Sequence, residues 1–133
     1  MIIGIANGCF DMLHAGHIEL LAEARAQCDQ LVVAINNDAS VKRLKGCDRP
    51  INNCSVRAMM LLALRSVDDV RVFDTEDDLR ELIREIEPQI LFKGSDYKYH
   101  PAITGSVLVR KVVIIDTPTK SSTWAELRKR GRL

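Results

Sequence analysis

The amino-acid sequence predicts an α/β fold, with a doubly wound parallel sheet of five strands in one domain that spans residues 1–133. Short β-branched runs alternate with longer stretches of helical period, a pattern typical of parallel strands joined by crossover helices. The length of 133 residues suits one hydrophobic core. The composition, 47% hydrophobic and 28% charged, is that of a folded globule rather than a disordered chain.

Five apolar runs are the predicted strands of this Rossmann-like sheet. The first two runs are apolar on both faces, which is required of strands that lie between two layers of helices. The five predicted strands are Ile2 to Ala6, Leu31 to Ile35, Val70 to Phe73, Ile90 to Phe92 and Val112 to Ile115.

Helical periodicity predicts three helices between these strands. The first is Ala15 to Cys28 and the second is Ser55 to Leu64. A third helix begins after Thr75, whose hydroxyl can accept from free amides while Asp78 lies in the favourable first turn. Pro88 ends this third helix. The side chains predicted to face inward from the first helix are Ile18, Leu21, Ala22 and Cys28.

Charge and hydropathy exclude several classes of function. The formal net charge is only +1, which gives no case for binding nucleic acid or an anionic membrane through bulk charge. No apolar stretch approaches the roughly 20 residues of a membrane span, and the N-terminus lacks the basic start of a secretion signal. We expect a cytoplasmic protein with neither nucleic acid nor a membrane as a partner.

The four cysteines form no C-x-x-C pair. Their irregular spacing argues against both a zinc site and a disulfide framework. Reduced thiols are therefore expected at Cys9, Cys28, Cys47 and Cys54, and no metal-ligating set is predicted.

The stretch GCFDMLHAGH, residues 8–17, leads from the end of the first strand into the first helix. Ligands bind at this edge of open α/β sheets. A helix start offers unpaired amides and a positive dipole end, which suits phosphate, and Gly8 and Gly16 allow close approach of the backbone. The sequence therefore indicates an anion site at this turn.

His14 and His17 are three residues apart, so their rings point to the same side of a helix. As hydrogen-bond donors they could stabilise charge that develops on a phosphoryl group. From the spacing alone, such a pair is more often a surface pair or a fragment of a metal site.

The whole stretch resembles the first motif of the cytidylyltransferase-like nucleotidyltransferases, whose H-x-G-H element corresponds to residues 14–17 of this chain. Within that family the chain is most similar to the adenylyltransferase domain of the bifunctional enzymes that make ADP-heptose, and it is also similar to glycerol-3-phosphate cytidylyltransferases. Further motifs follow in the family's order: NNDASVKRLKG from Asn36, Arg49-Pro50, Arg57, Val67-Asp68, KGSDY from Lys93 and SST from Ser121.

The resemblance implies that a sugar or polyol phosphate attacks the α-phosphorus of a nucleoside triphosphate and that pyrophosphate leaves. The expected substrates are ATP and heptose 1-phosphate, and the expected assembly is a homodimer. Mg²⁺ would bind mainly through the nucleotide phosphates. Two alternatives stay open: cytidylyl transfer from CTP to glycerol 3-phosphate, and a nucleotide-binding module without turnover.

The resemblance also assigns roles to individual residues. His14, His17 and Lys45 would be catalytic, although Lys45 alone could be a solvated loop lysine. The expected acceptor-binding residues are Asp11, Asp38 and Arg57; by themselves, Asp38 could be a helix cap and Arg57 a solvated arginine. The expected nucleotide-binding residues are Gly8, Cys9, Phe10, Gly16, Lys93, Gly94, Asp96, Tyr97, Ser121, Ser122 and Thr123.

The C-terminal part departs from the family pattern in two places. The family has a serine followed by two threonines where this chain has Ser121-Ser122-Thr123. It also has a double glycine before the last strand, where this chain has Val109-Arg110-Lys111. These departures affect the choice of substrate more than the class of reaction.

Overall fold

The computed structural model describes residues 1–95, 103–116 and 131. Within them lies one sheet of five parallel strands in the order β3-β2-β1-β4-β5, which confirms the predicted fold class. The strands are β1 (Ile3–Gly8), β2 (Gln30–Asn36), β3 (Asp69–Phe73), β4 (Ile90–Gly94) and β5 (Lys111–Ile115), and the helices are α1 (Ala15–Ala26), α2 (Asp38–Lys45), α3 (Cys54–Leu62) and α4 (Glu76–Ile86).

The chain order places helices on both faces of the sheet. The connections from β1 to β2 and from β2 to β3 move one way across the sheet, and the connection from β3 to β4 returns past β1. Because such crossovers are right-handed, the return puts α4 on the opposite face from α1 and α3. Leu21 of α1 and Leu61 of α3 accordingly share one core with Ala6, whereas Ile83 of α4 packs with Ile5 in a second core.

The strands run further toward their carboxyl ends than predicted. β1 continues through Asn7 to Gly8, where Gly8 pairs with Ile35 of β2, and β4 continues through Lys93 to Gly94. Polar residues and glycine are poor strand formers, so composition hides these extensions, which pairing with neighbouring strands stabilises. The additional residues bring polar groups to the edge where the site lies.

The prediction of which α1 residues face inward is half wrong. Leu21 and Cys28 are buried, as predicted, but Ile18 and Ala22 are exposed. The buried stripe runs through Leu21, Ala24 and Cys28 at helical spacing. Ala22 directly follows Leu21 of the stripe, and Ile18 lies four residues before Ala22 on the same side of the helix. One residue corresponds to a turn of about 100° around the helix axis, so both side chains point away from the core.

Helix α2 was not among the predicted helices. It begins after Asn37, whose side-chain Oδ1 accepts from the amide of Ser40 at 2.9 Å. Val41 and Leu44 are its only long apolar side chains, which leaves too little periodicity to detect. Lys45 is the last residue of this helix rather than part of a loop.

The predicted start of α4 is confirmed in detail. Thr75 Oγ1 accepts from the Asp78 amide at 3.1 Å, and Asp78 Oδ2 accepts from the Thr75 amide at 3.2 Å. This reciprocal pair satisfies two helix-start amides. The helix ends at Ile86, just before Glu87 in the left-handed conformation and Pro88. None of the helices in the described ranges is long and apolar enough to cross a membrane.

Candidate active site

The carboxyl ends of β1, β2 and β4 bring most of the predicted site residues to one edge of the sheet. Strand order reverses between β1 and β4, and such a switch point is the usual place for a ligand. The charge of Lys45 acts on both His17 and Cys9, and Cys9 interacts with Lys93, so residues of α2, β1 and β4 share one electrostatic environment.

The rings of His14 and His17 both accept hydrogen bonds from backbone amides at the start of α1. His14 Nδ1 accepts from the Gly16 amide at 3.1 Å, and His17 Nδ1 accepts from the His14 amide at 3.4 Å. The rings stack with centroids 3.8 Å apart. Because His14 Nδ1 accepts from the Gly16 amide, the proton of a neutral His14 ring lies on Nε2.

The environment keeps His17 neutral. Burial, together with the charges of His14 and Lys45, lowers the pKa of His17 from its ordinary 6.5 to about 4, although a hydrogen bond with the Met12 carbonyl opposes this change. Desolvation and neighbouring positive charge both disfavour the imidazolium. His17 is therefore a hydrogen-bond donor, rather than a cation, at neutral pH.

Phe10 supports this pair from the turn after β1. Its backbone has φ 48, a left-handed conformation that costs energy for an aromatic residue, and its ring lies 5.2 Å from that of His17. At Gly8, a Cβ would come within 3.1 Å of the Phe10 ring. Glycine at this position therefore leaves room for the ring that packs beside His17.

Arg57 lies beneath the site and binds protein groups from three segments. Its Nη1 donates to the carbonyls of Cys9 and Asn36, both at 2.8 Å, and its Nε donates to the Asn52 carbonyl at 2.9 Å. Its Nη2 donates to Asp38 Oδ1 at 2.8 Å. The side chain is fully buried. Arg57 therefore joins the ends of β1 and β2, and its expected contact with the acceptor stays a prediction.

The Asp11 carboxylate likewise accepts hydrogen bonds from other parts of the chain. Its Oδ2 accepts from Arg49 Nε at 2.7 Å and from the Ile51 amide at 2.8 Å, while its Oδ1 accepts from the Asn52 amide at 2.9 Å. Burial by itself would raise the pKa of Asp11, but these hydrogen bonds and the charge of Arg49 lower it overall. The ionised carboxylate thus holds the segment after α2 against the turn after β1.

Arg49 is a site residue whose role sequence reasoning missed. It is 1% exposed and forms a buried ion pair with Asp11, 38 positions away in sequence. Its sequence signal was its place in the family's motif order, which carries no indication of burial or of a partner.

The two lysines of the predicted site, Lys45 and Lys93, have different surroundings. Lys45 is exposed at the end of α2, and Gly46 after it has φ 110, which favours glycine. Lys93 is buried near the end of β4, and burial lowers the pKa of its ammonium to about 8, against the charges of Cys9 and Glu76. Lys93 is thus still mostly cationic at pH 7 but close to its deprotonation range.

Part of the predicted site lies outside the described residues: Asp96, Tyr97, Ser121, Ser122 and Thr123. Their assigned roles remain predictions. Among the residues that are described, Gly16 is buried at the start of α1, and Gly94 follows Lys93 at the same sheet edge as Cys9.

The curated relatives of this chain match nearly all of it but are much longer. The chain is 50% identical over 127 residues to the bifunctional protein HldE of Wolinella succinogenes, covering 96% of this chain and 26% of that protein. It is 47% identical over 130 residues to the bifunctional protein HldE of Mesorhizobium japonicum, covering 96% and 26%. The chain therefore spans about a quarter of the length of the curated relatives it matches.

Solved structures of other proteins share this fold. The lipopolysaccharide core biosynthesis protein from Thermoplasma volcanium superimposes with a TM-score of 0.76 at 30% identity, covering 92% of this chain and 99% of that one. A pantoate-β-alanine ligase from Francisella tularensis, with a TM-score of 0.61 at 16% identity over 90% and 60% of the two chains, shares the fold. The cytidylyltransferase-like family model matches residues 5–130. The chain therefore belongs to the cytidylyltransferase-like family of nucleotidyltransferases.

Proposed function

We propose that this protein transfers an adenylyl group from ATP to a heptose 1-phosphate, giving ADP-heptose and pyrophosphate. The observation that carries the proposal is the stacked pair of His14 and His17, which lies at the start of α1 and at the carboxyl edge of the central strand. Helix-start amides and the positive end of the dipole favour a phosphate at this position.

In the proposed reaction, an oxygen of the acceptor's phosphate attacks the α-phosphorus of ATP. A new P–O bond forms there, the bond from the α-phosphorus to the bridging oxygen breaks, and pyrophosphate leaves with that electron pair. The second pKa of a phosphate monoester is about 6, so the acceptor needs no general base at neutral pH. Positioning and charge stabilisation are what the protein must supply.

The neutral His17 suits that requirement. With a pKa of about 4, His17 is uncharged at neutral pH, and its one ring N–H can donate a hydrogen bond to a phosphate oxygen as charge grows on it. Lys45 is exposed at the end of α2 and supplies a compact charge on a flexible stem that can contact phosphates of both substrates. In this proposal Arg57 and Asp11 keep the surrounding segments in place and do not contact the substrates.

Mg²⁺ would enter with the triphosphate. No group of three His, Cys, Asp or Glu side chains that could hold a metal ion occurs in the described ranges. Both carboxylate oxygens of Asp11 accept from protein donors, and Asp38 Oδ1 accepts from Arg57 Nη2. A Mg²⁺ held by phosphate oxygens and water fits such surroundings, and it would supply neutralisation of phosphate charge.

The choice of ATP and heptose 1-phosphate rests on two motifs together, NNDAS from Asn36 and KGSDY from Lys93, which resemble the ADP-heptose enzymes. A sugar phosphate presents more hydroxyls than glycerol phosphate. A site built to bind them should reject an acceptor that leaves its polar groups unpaired.

The test is a pyrophosphate-release screen that crosses ATP and CTP with heptose 1-phosphate and glycerol 3-phosphate. We expect kcat/KM to be highest for ATP with heptose 1-phosphate, and a variant with His14→Ala and His17→Ala serves as the background control. A tenfold or greater preference for CTP with glycerol 3-phosphate would assign the cytidylyltransferase reaction instead. Nucleotide binding without pyrophosphate release from any pair would indicate a binding module.

A further inference from the structure

Asn7 is a polar residue in the central strand whose side-chain carbonyl has no use in the fold. Its Oδ1 is enclosed by protein and meets no hydrogen-bond donor within the described part of the chain. Buried polar atoms are nearly always paired, so an exception in the middle strand of a sheet requires an explanation. The residue as a whole is only half-buried, so the side chain is not sealed from solvent.

The position of Asn7 places it beside Lys93. Side chains alternate between the faces of a strand, so Asn7 lies on the same face as Ile5, and Lys93 lies on the same face as Leu91. Ile5 and Leu91 pair in register and pack in the core beneath α4. The β1–β4 pairing ends at Ala6 and Phe92, and Asn7 and Lys93 are the next residues of the two strands, on the same face and on the two sides of the switch point.

Other amides in the structure show what a supporting role looks like. The Gln89 side chain accepts from the Ile3 amide at 2.7 Å and donates to the Met1 carbonyl at 3.4 Å, at the opposite edge of the sheet. The Asn52 side chain donates to the Asp11 carbonyl at 3.0 Å. No comparable bond from the described residues holds the Asn7 carbonyl, and rotation about its last side-chain torsion, which is a soft one, can present either end of the amide to a ligand.

We propose that Asn7 is a substrate-binding residue whose amide takes a sugar hydroxyl on the α4 side of the active-site edge, next to Lys93. A hydroxyl both donates and accepts, so it can pair with either end of the amide. The buried ammonium of Lys93 makes this side of the edge favourable for oxygen-rich groups. The inference rests on the proposed function, in which two sugars are present: the ribose of ATP and the sugar of the acceptor.

The first arm of the test separates binding from structural support. Asn7→Leu has similar volume and removes both polar atoms, and Gln89→Leu is the matched change of an amide that the fold uses. We expect Asn7→Leu to keep the wild-type Tm while kcat/KM falls tenfold or more. We expect Gln89→Leu to lower the Tm and to leave the kinetic constants unchanged. A Tm loss for Asn7→Leu as large as that for Gln89→Leu would overturn the proposal, as would unchanged kinetics.

The second arm identifies which sugar is bound. Titration calorimetry with a non-hydrolysable ATP analogue, in which methylene replaces the α,β-bridging oxygen, measures nucleotide affinity directly. A weaker affinity in Asn7→Leu assigns the hydroxyl to the ribose. An unchanged affinity with a raised acceptor KM assigns it to the acceptor, and a deoxy acceptor should then lose tenfold or more in wild type but little further in the variant.

This design keeps the two proposals distinguishable. If wild-type protein releases no pyrophosphate with any sugar phosphate, the proposed function fails while the calorimetric arm still tests Asn7. In that case, equal nucleotide affinity of wild type and Asn7→Leu would overturn the role of Asn7 as well.

Discussion

Arg57 is a buried arginine of α3, and its replacement with leucine should destabilise the protein more than replacement of a charged residue that lies on a helix surface. The change removes donors from the carbonyls of Cys9, Asn36 and Asn52, and from the Asp38 carboxylate. The arginine is fully buried, so these acceptors cannot all regain water. Each enclosed carbonyl left without its donor costs about 1 to 3 kcal/mol, whereas the half-exposed Asp38 carboxylate can regain water, so we expect Arg57→Leu to lower the unfolding free energy by about 3 to 5 kcal/mol.

For a domain of this size, about 1 kcal/mol corresponds to roughly 3 to 4 °C in Tm, so the expected loss is on the order of 10 to 20 °C. Thermal unfolding followed by circular dichroism, with urea titration for the free energy, measures it. Arg80→Leu is the matched control, because Arg80 is partly exposed on α4 and pairs with Asp77 and Glu76 at the surface. Its loss should stay below about 1 kcal/mol.

A loss in unfolding free energy for Arg57→Leu no larger than that for Arg80→Leu would refute this role of Arg57. It is also refuted if Arg57→Leu keeps wild-type stability but loses activity, because that combination would indicate that Arg57 contacts the substrate. Arg57→Lys separates charge from geometry. A lysine keeps the charge but lacks the planar guanidinium that reaches all four acceptors, so most of the loss in unfolding free energy should remain.

Three further predictions concern the chemistry. His14→Ala or His17→Ala should lower kcat by about 10² to 10³ with a smaller change in triphosphate affinity, as for loss of one preorganised donor; equal losses in both would exclude a transition-state role. Because folding lowers the pKa of His17 to about 4, the unfolded chain binds the extra proton first, so wild-type stability should fall by at most about 3 kcal/mol as pH drops from 6.5 to 4. That fall should be absent in urea titrations of His17→Gln, and an equal fall in both proteins would rule out His17 as its cause. Chelation of Mg²⁺ should abolish turnover and leave the Tm unchanged; unfolding on chelation would instead reveal a structural metal site.

The sequence by itself determined the features that depend on neighbouring residues. Short β-branched apolar runs identified the five strands, helical periodicity identified three of the four α-helices in the described ranges, and the Thr75 and Asp78 pair set the start of α4. The GCFDMLHAGH stretch located the histidines at a strand end followed by a helix start. These signals are local because capping and periodicity involve residues within a few positions of each other.

The tertiary structure decided what each polar side chain does at the edge. The sequence pattern around Arg57 predicts a solvated or phosphate-binding arginine, yet the carbonyls of Cys9 and Asn36 from distant segments, with that of nearby Asn52, meet around this buried side chain. Asp11 and Arg49 pair across 38 positions, and Asn7 keeps a carbonyl that the described part of the fold does not pair. The cost of burying a polar group depends on which partners surround it in space, and no local pattern encodes that.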